Sequence, residues 1–391
     1  MPKLNEQKNI GMSQRVMGLP PFIVMDVMER SAELEMQGCH IIHLEVGEPD
    51  FDTPPCIIEA AERAMRDGET HYTHSLGLLP LREAICRHYH RQYGVTITPD
   101  RVGVTMGSSP AFLLVLGALV NPGDEVILSD PHYSCYPNYL RFLEGKSVFV
   151  NVHEEDGFQY RPEEILPRIN PSTRAVIINS PANPTGNLLS SERMAHIANL
   201  GPMIISDEIY HGLVYEGREH SILEFTDRAF IINGFSKAFA MTGWRLGYII
   251  MPEEFKRPIQ KMLQNFFISP NAFVQRAGIT ALDECEADVE RMRSIYDQRR
   301  KLMISRLKEM GFGITVEPTG AFYVLASARR FTDDSYRLAF DILENAHVGV
   351  APGIDFGQNA EGYLRFSYAT SLENIEEGMG RIRAYLQKQF P

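Results

Sequence analysis

The sequence predicts an α/β domain with a mainly parallel sheet flanked by helices, together with a smaller α+β domain built from both chain ends. The first observation behind this prediction is an alternation of short β-branched runs with helix-like stretches through the middle of the chain. The second is the length of 391 residues, which suffices for about two domains of ~150 residues each. The third is a composition of 44% hydrophobic and 23% charged residues, which excludes a disordered chain and allows a large buried core.

The central part of the chain contains five apolar runs, rich in β-branched residues, that have the length of buried strands. Amphipathic stretches lie between these runs and would form helices that cover the faces of the sheet. Strands are predicted at Arg101–Thr105, Glu125–Leu128, Arg174–Ile178, Met203–Ile205 and Ala229–Ile232. Helices are predicted at Pro110–Leu119, Tyr136–Glu144, Pro162–Ile169 and Ser190–Leu200.

The two ends of the chain lack this alternation. An apolar helix is predicted at Ile23–Glu35, and a long charged helix at Val289–Met310 is followed by short strands at Ala321–Leu325 and Tyr363–Tyr368. We therefore expect both ends to form one smaller domain beside the α/β domain. The predicted division is 1–50 for the N-terminal segment, 51–288 for the large domain and 289–391 for the C-terminal part of the small domain.

Charge and hydropathy exclude several classes of partner. With 38 Lys+Arg against 50 Asp+Glu the net charge is −12, so we expect no binding of nucleic acid or of anionic membranes. The longest apolar run, Ala111–Val120, is too short to span a bilayer, which takes ~20 residues. The first fifteen residues contain no apolar core of a signal peptide, and five scattered cysteines are typical of reduced thiols. A cytoplasmic location is therefore predicted.

Polar side chains follow each predicted strand, at the carboxyl edge of the sheet where α/β proteins bind their ligands. Gly107, Ser108 and Ser109 precede an apolar helix and offer backbone N–H groups and two hydroxyls to an anion. Ser236 and Arg245 could add a hydroxyl and a guanidinium to the same anion. The alternatives are an ordinary helix N-cap for the two serines and a surface ion pair for Arg245.

A lysine and an aspartate in apolar surroundings indicate covalent chemistry next to a carboxylate that binds a cation. Lys237 follows a predicted strand, where burial and Arg245 would lower its pKa and favour the neutral amine that Schiff-base chemistry needs. Asp207 also follows a strand, and if buried it needs a cation such as a protonated ring nitrogen, unless it only caps a helix. Tyr133 could stack on a flat ring or pack in the core.

Two local patterns suggest other chemistry, and both are weak. The run Gly234–Ala238 resembles the G-x-S-x-G elbow of serine hydrolases around Ser236, but its last residue is alanine. A serine hydrolase therefore stays a remote alternative. The group Cys86, His88 and His90 could suggest a metal, but helix residues two apart do not share a face. We predict no metal site.

Motifs spread along most of the chain resemble, in the same order, those of the class I and II aminotransferases, which depend on pyridoxal 5′-phosphate (PLP). The stretch 234–247 (GFSKAFAMTGWRLG) resembles their lysine-attachment signature, 180–186 (SPANPTG) their asparagine loop, and Asp207–Tyr210 their aspartate motif. This resemblance implies fold type I, with a seven-stranded sheet in the large domain. Further matches are Gly47–Phe51, Tyr72 and Thr73, Gly77, Leu81 and Arg82, Ala351–Gly353, and Tyr363–Ser367.

The resemblance also implies a role for each candidate residue. The implied catalytic residues are Lys237, which binds PLP covalently and moves a proton, Asp207, the partner of the pyridinium nitrogen, and Tyr210. Asn183 and Tyr210 would donate to the ring 3-oxygen, and Tyr133 would stack on the ring. The phosphate would be bound by Ser108, Ser109, Ser236, Arg245 and, from a neighbouring subunit, Tyr72, which implies a homodimer with shared sites. The substrate carboxylate would be bound by Arg365, Gly47 and Asn183.

Two departures from the family pattern concern the phosphate site and the choice of substrate. Gly234 replaces the serine that commonly stands three residues before the lysine, which removes one hydroxyl. Ser109 replaces a lysine that some aspartate-specific relatives use to bind a distal carboxylate, so an aspartate-specific enzyme is not favoured. Apolar residues near the predicted entrance would suit neutral or aromatic side chains, although each could also be a core residue: Phe22, Ile23, Phe266 and Phe267.

The activity implied by the resemblance is transfer of the amino group of an L-amino acid to a 2-oxo acid, 2-oxoglutarate or pyruvate, by a ping-pong mechanism. A PLP-dependent C–S β-lyase or decarboxylase on the same scaffold is the alternative, since the same ring chemistry supports several bond cleavages. A PLP-sensing regulator is a further alternative, but it would need a DNA-binding module, and no basic segment is present.

Overall fold

The structure, a computed structural model, describes residues 11–390. Residues 1–10, which begin the predicted segment 1–50, and Pro391 lie outside the described residues. The helices are α1 (Gln14–Met17), α2 (Ile23–Met36), α3 (Pro55–Arg66), α4 (Leu79–Tyr93), α5 (Ser108–Leu119), α6 (Cys135–Phe142), α7 (Pro162–Ile165), α8 (Ser191–Ala198), α9 (Lys256–Phe266), α10 (Ala272–Glu284), α11 (Glu286–Met310), α12 (Ser335–Ala346) and α13 (Leu372–Gln389). The strands are β1 (Ile42–His43), β2 (Val102–Thr105), β3 (Glu125–Asp130), β4 (Lys146–Asn151), β5 (Thr173–Asn179), β6 (Met203–Asp207), β7 (Ala229–Gly234), β8 (Gly247–Ile250), β9 (Tyr323–Ser327), β10 (Val348–Gly349), β11 (Ala351–Pro352) and β12 (Tyr363–Ser367).

A seven-stranded sheet forms the centre of the molecule, in the order β2-β8-β7-β6-β5-β3-β4. Strands β4, β3, β5, β6 and β7 pair in parallel, and only β8 runs antiparallel to both of its neighbours, β7 and β2. This confirms the predicted α/β fold with a mainly parallel sheet and the seven strands that the resemblance implied. Because the parallel strands end at one edge, the polar residues that follow β5, β6 and β7 lie close together.

The five predicted strands correspond to β2, β3, β5, β6 and β7, and the sequence analysis missed β4 and β8. All six residues of β7 are buried, as expected for a parallel strand covered on both faces. Strand β4 pairs only with β3, at the edge of the sheet, most of its residues are partly exposed, and its apolar run, Val148–Val150, has only three residues. Strand β8 has four residues, too few for a periodic pattern to stand out.

Helices pack on both faces of this sheet, close to the predicted positions. The prediction at Pro162–Ile169 is the exception, because α7 ends at Ile165 and a 3₁₀ turn covers Leu166–Arg168. Pro167 has no N–H to continue the α-helical ladder, which explains the early end. Across residues 11–390, the structure contains no helix with the combination of length and apolarity that crossing a membrane requires.

Two smaller sheets connect the ends of the chain. Strand β1 pairs in parallel with β10, so Ile42 lies opposite Val348, and β11, β12 and β9 form an antiparallel sheet in that order. Helices α11, α12 and α13 pack with these strands around a second hydrophobic core. The resulting α+β arrangement places β12 next to the carboxyl edge of the large sheet. The boundaries at 50 and 288 stay a prediction.

Candidate active site

A cavity of about 340 Å³ opens at the carboxyl edge of the seven-stranded sheet. Its walls come from the ends of β5, β6 and β7, the first turn of α5, helices α2 and α6, and strand β12. Every predicted site residue except Tyr72 lines it: Gly47, Ser108, Ser109, Tyr133, Asn183, Asp207, Tyr210, Ser236, Lys237, Arg245 and Arg365. The residues that the sequence analysis selected from seven separate segments therefore meet in one place.

Lys237 lies just after β7, in a tight turn, and its side chain reaches into the cavity. Its Nζ donates a hydrogen bond of 2.5 Å to the backbone oxygen of Gly47. The pKa of Lys237 is lowered to about 8, mainly by burial and to a lesser extent by the nearby guanidinium groups of Arg365 and Arg245, while the Glu48 carboxylate opposes this shift. A substantial fraction of this amine is therefore neutral in mildly alkaline solution.

Asp207 is the last residue of β6, and it is 5% exposed. Its carboxylate accepts hydrogen bonds from the Tyr136 hydroxyl at 2.6 Å and from the backbone N–H of Ile209 at 3.2 Å. Burial raises the pKa of Asp207 to about 6, although both hydrogen bonds favour the charged form. Within residues 11–390 no cationic side chain forms an ion pair with this carboxylate, so it can serve a cation supplied by a ligand.

The first turn of α5 and the Arg245 side chain together form a cradle for an anion. Gly107 is the N-cap of α5 and has φ +90°, and a Cβ atom there would lie 2.7 Å from Nη2 of Arg245. Only glycine lets the guanidinium come this close to the helix N-terminus. Arg245 has its own positive φ of 54°, and its Nη1 donates to the backbone oxygen of Thr242 at 2.9 Å.

The cradle decides between the alternatives left open for its residues. Ser108 and Ser109 belong to the first turn of α5, and its N-cap is Gly107, so the serines do not act as an ordinary N-cap. Arg245 is exposed and forms no ion pair with any carboxylate of the described residues, so it is not a surface ion-pair partner. Both hydroxyls, the Ser236 side chain and the guanidinium line the cavity.

Arg365, in β12, is a buried cation that pairs with no carboxylate of residues 11–390. Its Nη1 donates to Oδ1 of Asn183 at 2.9 Å, and its Nη2 donates to the backbone oxygen of Glu45 at 2.5 Å. The guanidinium carbon lies 4.4 Å from the ring centre of Tyr323 and 4.8 Å from that of Phe356, so both rings make cation–π contacts with it. Its Nε is buried and has no hydrogen-bond acceptor among the described residues, so the group is able to bind a further anion.

Three residues that the sequence analysis did not select complete the walls. Tyr323 shares a hydrogen bond of 2.9 Å with the hydroxyl of Tyr210, and Oδ1 of Asn179 accepts the backbone N–H of Asn183 at 2.8 Å. The third is Tyr136. It lies in the first turn of α6, three residues after Tyr133, which precedes the helix, and the two rings pack edge-on at 5.3 Å. No local signal marks Tyr323, which comes from β9.

The structure also separates some predicted residues from the cavity. Tyr72 is 81% exposed and lies outside it. Of the four apolar entrance candidates, only Phe22 lines the cavity, where its ring packs edge-on against Tyr133 at 6.2 Å. Phe266 and Phe267 lie at the end of α9 and Ile23 at the start of α2, and none of the three lines the cavity, so the entrance alternative is not supported for them.

The geometry does not support a serine hydrolase. Ser236 is buried in the cavity wall, but no histidine of the described residues lines this cavity to act as its base. The same cavity contains a lysine, an aspartate and an anion cradle that a serine hydrolase does not need. The pattern around Ser236 is therefore explained by the tight turn after β7.

Comparisons with known proteins point to one family. The family model described as "Aminotransferase class I and II" matches residues 40–382. The (5-formylfuran-3-yl)methyl phosphate transaminase of Methanocaldococcus jannaschii is 40% identical over 96% of this chain and 100% of its own length. The aspartate aminotransferase of Pyrococcus horikoshii is 38% identical over 98% of this chain and 99% of its own. The structure of Thermus thermophilus aspartate aminotransferase with maleate superimposes with a TM-score of 0.92, at 38% identity over 96% and 99% of the two chains.

Proposed function

This chain belongs to the class I and II aminotransferase family, and we propose that its amino-group transfer depends on PLP bound in the cavity around Lys237. The single observation that supports this most is the convergence of three different groups. An amine of lowered pKa, a buried carboxylate without a cation, and an anion cradle line one cavity of about 340 Å³. These are the partners for an aldehyde, a pyridinium and a phosphate.

The residues present fit the chemical groups of PLP. The cradle formed by the first turn of α5, Ser236 and Arg245 suits a phosphate, because backbone N–H groups, hydroxyls and a guanidinium all donate to it. The Asp207 carboxylate suits a protonated ring nitrogen. Asn183 and Tyr210 are the proposed donors to the 3-oxygen of the ring, and Tyr133 is the residue proposed to stack on it.

When bound, PLP supplies an electron sink that makes the Cα–H bond of the amino acid acidic. Lys237 is the residue that we expect to take this proton in its neutral amine form and to return it at a second carbon. Asp207 keeps the ring nitrogen protonated and so maintains the sink. The amino group then passes to the second substrate, a 2-oxo acid, so that the two half-reactions form a ping-pong cycle.

The substrate carboxylate is assigned to Arg365. Its planar fork matches a carboxylate, and its Nε has no acceptor among residues 11–390. The rings of Tyr323 and Phe356 pack close to the guanidinium and restrict its movement. Gly47 offers a backbone contact beside it, and Asn183 already touches the guanidinium. We expect these three residues to orient the Cα–H bond toward Lys237.

The amino donor is expected to have a neutral or apolar side chain. The cationic side chains in the lining of the cavity are Lys237, Arg245 and Arg365, and all three have proposed roles with PLP or the substrate carboxylate. Glu48 adds a negative charge to the wall, which would repel a second carboxylate. The side chains that α2 and its start contribute are apolar: Phe22, Val24, Met25 and Met28.

The proposed enzyme is a homodimer that shares its sites. The side chain of Tyr72 is 81% exposed. The N–H of the next residue, Thr73, donates to the Ser269 hydroxyl at 3.1 Å, which places Tyr72 near Phe266 and Ile268. These two apolar side chains are 65% and 52% exposed. A partner subunit that covers this apolar surface would bring Tyr72 to the phosphate cradle of the other subunit. The predicted cytoplasmic location is kept as part of the proposal.

The test is a transamination assay. Purified chain incubated with PLP is given each of a panel of L-amino acids with 2-oxoglutarate or pyruvate, and the new amino acid and 2-oxo acid are measured. We expect amino transfer from neutral or aromatic donors and none from the Lys237→Ala variant. Release of ammonia or carbon dioxide without amino transfer would instead indicate the β-lyase or the decarboxylase. A chain that binds PLP without turnover of any donor would indicate a sensor.

A further inference from the structure

Two cysteines far apart in sequence meet outside the active site. The Sγ atoms of Cys56 and Cys285 lie 2.8 Å apart, although 229 residues separate them along the chain. Both are free thiols, and the structure gives none of the other three cysteines, which lie at 39, 86 and 135, a thiol neighbour. A thiol pair in direct contact needs little movement to form a bond.

The two thiols have different surroundings. Cys56 lies in the first turn of α3 and is partly exposed, so a small reagent in solution can reach it. Cys285 is fully buried between α10 and α11, where burial raises its pKa and the Asp288 carboxylate raises it further. Its Sγ lies 3.7 Å from the backbone oxygen of Thr280. Cys56 is thus suited to meet an oxidant first. Cys285 is held in the thiol form, and it is placed to react with the product because its sulfur already lies against that of Cys56.

We propose that Cys56 and Cys285 are a peroxide-sensitive dithiol, and that oxidation joins α3 to the junction of α10 and α11 by a disulfide. This modification site is independent of the proposed function, since neither cysteine lines the cavity around Lys237. The oxidant is hydrogen peroxide.

The proposed reaction has two steps. The Cys56 sulfur attacks one oxygen of the peroxide, the O–O bond breaks, and Cys56 becomes a sulfenic acid while one water leaves. The Cys285 sulfur then attacks the sulfur of the sulfenic acid. The S–S bond forms, the S–O bond breaks, and the hydroxyl leaves as a second water with the thiol proton of Cys285. Two thiols have lost two electrons in total, and the peroxide has accepted them.

A metal site at the same place fits the geometry less well. The Asp288 carboxylate and the two thiols lie within 4.8 Å of one another and could offer three ligands to a divalent cation. A closed structural zinc site takes four protein ligands. Among the described residues this group supplies three, which favours the thiol pair.

The position of the pair gives the disulfide a structural consequence. Cys56 and Cys285 both lie within six residues of the predicted domain boundaries at 50 and 288. A bond between them closes a loop of more than 200 residues, which restricts the unfolded chain strongly. We therefore expect the oxidised protein to unfold at a temperature several degrees above that of the reduced protein.

The experiment uses the full chain loaded with PLP. After reduction and removal of the reductant, the protein is treated with hydrogen peroxide, digested without reductant and analysed by mass spectrometry. We expect a cross-linked peptide pair containing Cys56 and Cys285, loss of two reactive thiols, and return of both on treatment with dithiothreitol. The thermal midpoint should rise with oxidation in the native chain and should not change in Cys56→Ser.

One further variant completes the test. Cys86→Ser, which replaces another half-buried cysteine, should keep the disulfide and the shift in midpoint. No Cys285 variant is needed, because a change at this buried position could impair folding. The peptide map of the native chain shows directly whether Cys285 is in the disulfide. The proposal is overturned if peroxide leaves both thiols free, or oxidises Cys56 only to the sulfinic acid, or if zinc protects the pair and no disulfide appears.

Discussion

The hydroxyl of Tyr136 lies 2.6 Å from Oδ2 of Asp207 and donates a hydrogen bond to it. The two residues are 71 positions apart, on α6 and at the end of β6. Burial favours the neutral form of this carboxyl group, whereas the hydrogen bonds from Tyr136 and from the N–H of Ile209 favour its charged form. Tyr136 is therefore a positioning residue that acts through Asp207.

Replacing Tyr136 by phenylalanine should weaken PLP binding. The carboxylate of Asp207 loses one of its two donors, so its pKa rises above about 6 and less of it is charged at pH 7. A lost hydrogen bond to a charged group costs about 1.5 kcal/mol, so the Kd for PLP should rise roughly tenfold. Titration of the PLP-free protein measures this.

The matched control for this variant is Tyr160→Phe. Tyr160 is also buried, and its hydroxyl donates to the backbone oxygen of Ile177 at 3.0 Å, but it is not part of the lining of the cavity. It should lose a similar hydrogen bond and leave the Kd for PLP unchanged. Equal Kd values for Tyr136→Phe and the native chain would contradict the assigned role of Tyr136.

The contribution of Asp207 to PLP binding should depend on pH. Burial raises its pKa to about 6, so the carboxylate is charged above pH 6 and becomes neutral as the pH falls through this value. Because only the charged form attracts a pyridinium, the advantage of the native chain over Asp207→Asn should be large at pH 8 and should shrink below pH 6. The measurement is the ratio of the two Kd values for PLP between pH 5 and 8.

This ratio has an internal control. The phosphate of PLP also titrates near pH 6, but it does so equally with both proteins, and its effect cancels. A ratio that stays constant across the whole range would show that Asp207 does not meet the ring nitrogen.

Arg365 should determine substrate binding without affecting PLP uptake. In Arg365→Ala the carboxylate of the amino acid loses a bidentate cation, and such charged hydrogen bonds are worth about 1.5–3 kcal/mol. We expect KM for the amino donor to rise roughly 10- to 100-fold, with an unchanged Kd for PLP as the sign of a folded protein. Arg365→Lys keeps the charge but not the planar fork, so its KM for the amino donor should lie between those of the native chain and of Arg365→Ala.

The converse result is expected for Arg245→Ala. This arginine lies against the N-terminus of α5, so its loss should weaken PLP binding first. If Arg365→Ala shows unchanged steady-state kinetics, or loses PLP as Arg245→Ala does, then the assignment of Arg365 to the substrate carboxylate is wrong.

Tyr72 should act in the site of the partner subunit. Homodimers of Lys237→Ala are expected to be inactive, and homodimers of Tyr72→Ala to bind PLP weakly. In a mixed dimer one site combines the intact Lys237 of one chain with the intact Tyr72 of the other. Random mixing of the two variants should therefore restore about a quarter of the native activity. No gain on mixing, although mixed dimers form, would place Tyr72 outside the shared site.

The sequence predicts a strand or a site residue best when its position depends on a single strand or turn. Strand β7 could be predicted because its first four residues, Ala229–Ile232, are apolar, and Asp207 and Lys237 because they lie a few residues at most after such runs. The edge strand β4 was missed because its apolar run has only three residues, between polar and partly exposed ones. For the site, Tyr323 was missed because its contact with Tyr210 spans 113 residues and depends on how β9 meets the large sheet.

Tyr72 and the entrance candidates are residues that the sequence did select, but their positions also depend on tertiary packing. A sequence pattern indicates that Phe266 and Phe267 are apolar and near a helix end, but not which face of the molecule α9 turns toward. Only tertiary packing decides that Phe22 reaches the cavity and that these two do not.

The central claim is that the Lys237 amine bonds covalently to PLP. The most direct measurement is reduction of the PLP-loaded protein with borohydride, followed by digestion and mass spectrometry of the labelled peptide. We expect one phosphopyridoxyl group per chain, on Lys237, and labelling of the PLP-free protein that accelerates as the pH rises through about 8. A protein that stays unlabelled, or a label distributed over surface lysines at the same level in Lys237→Ala, would contradict the claim.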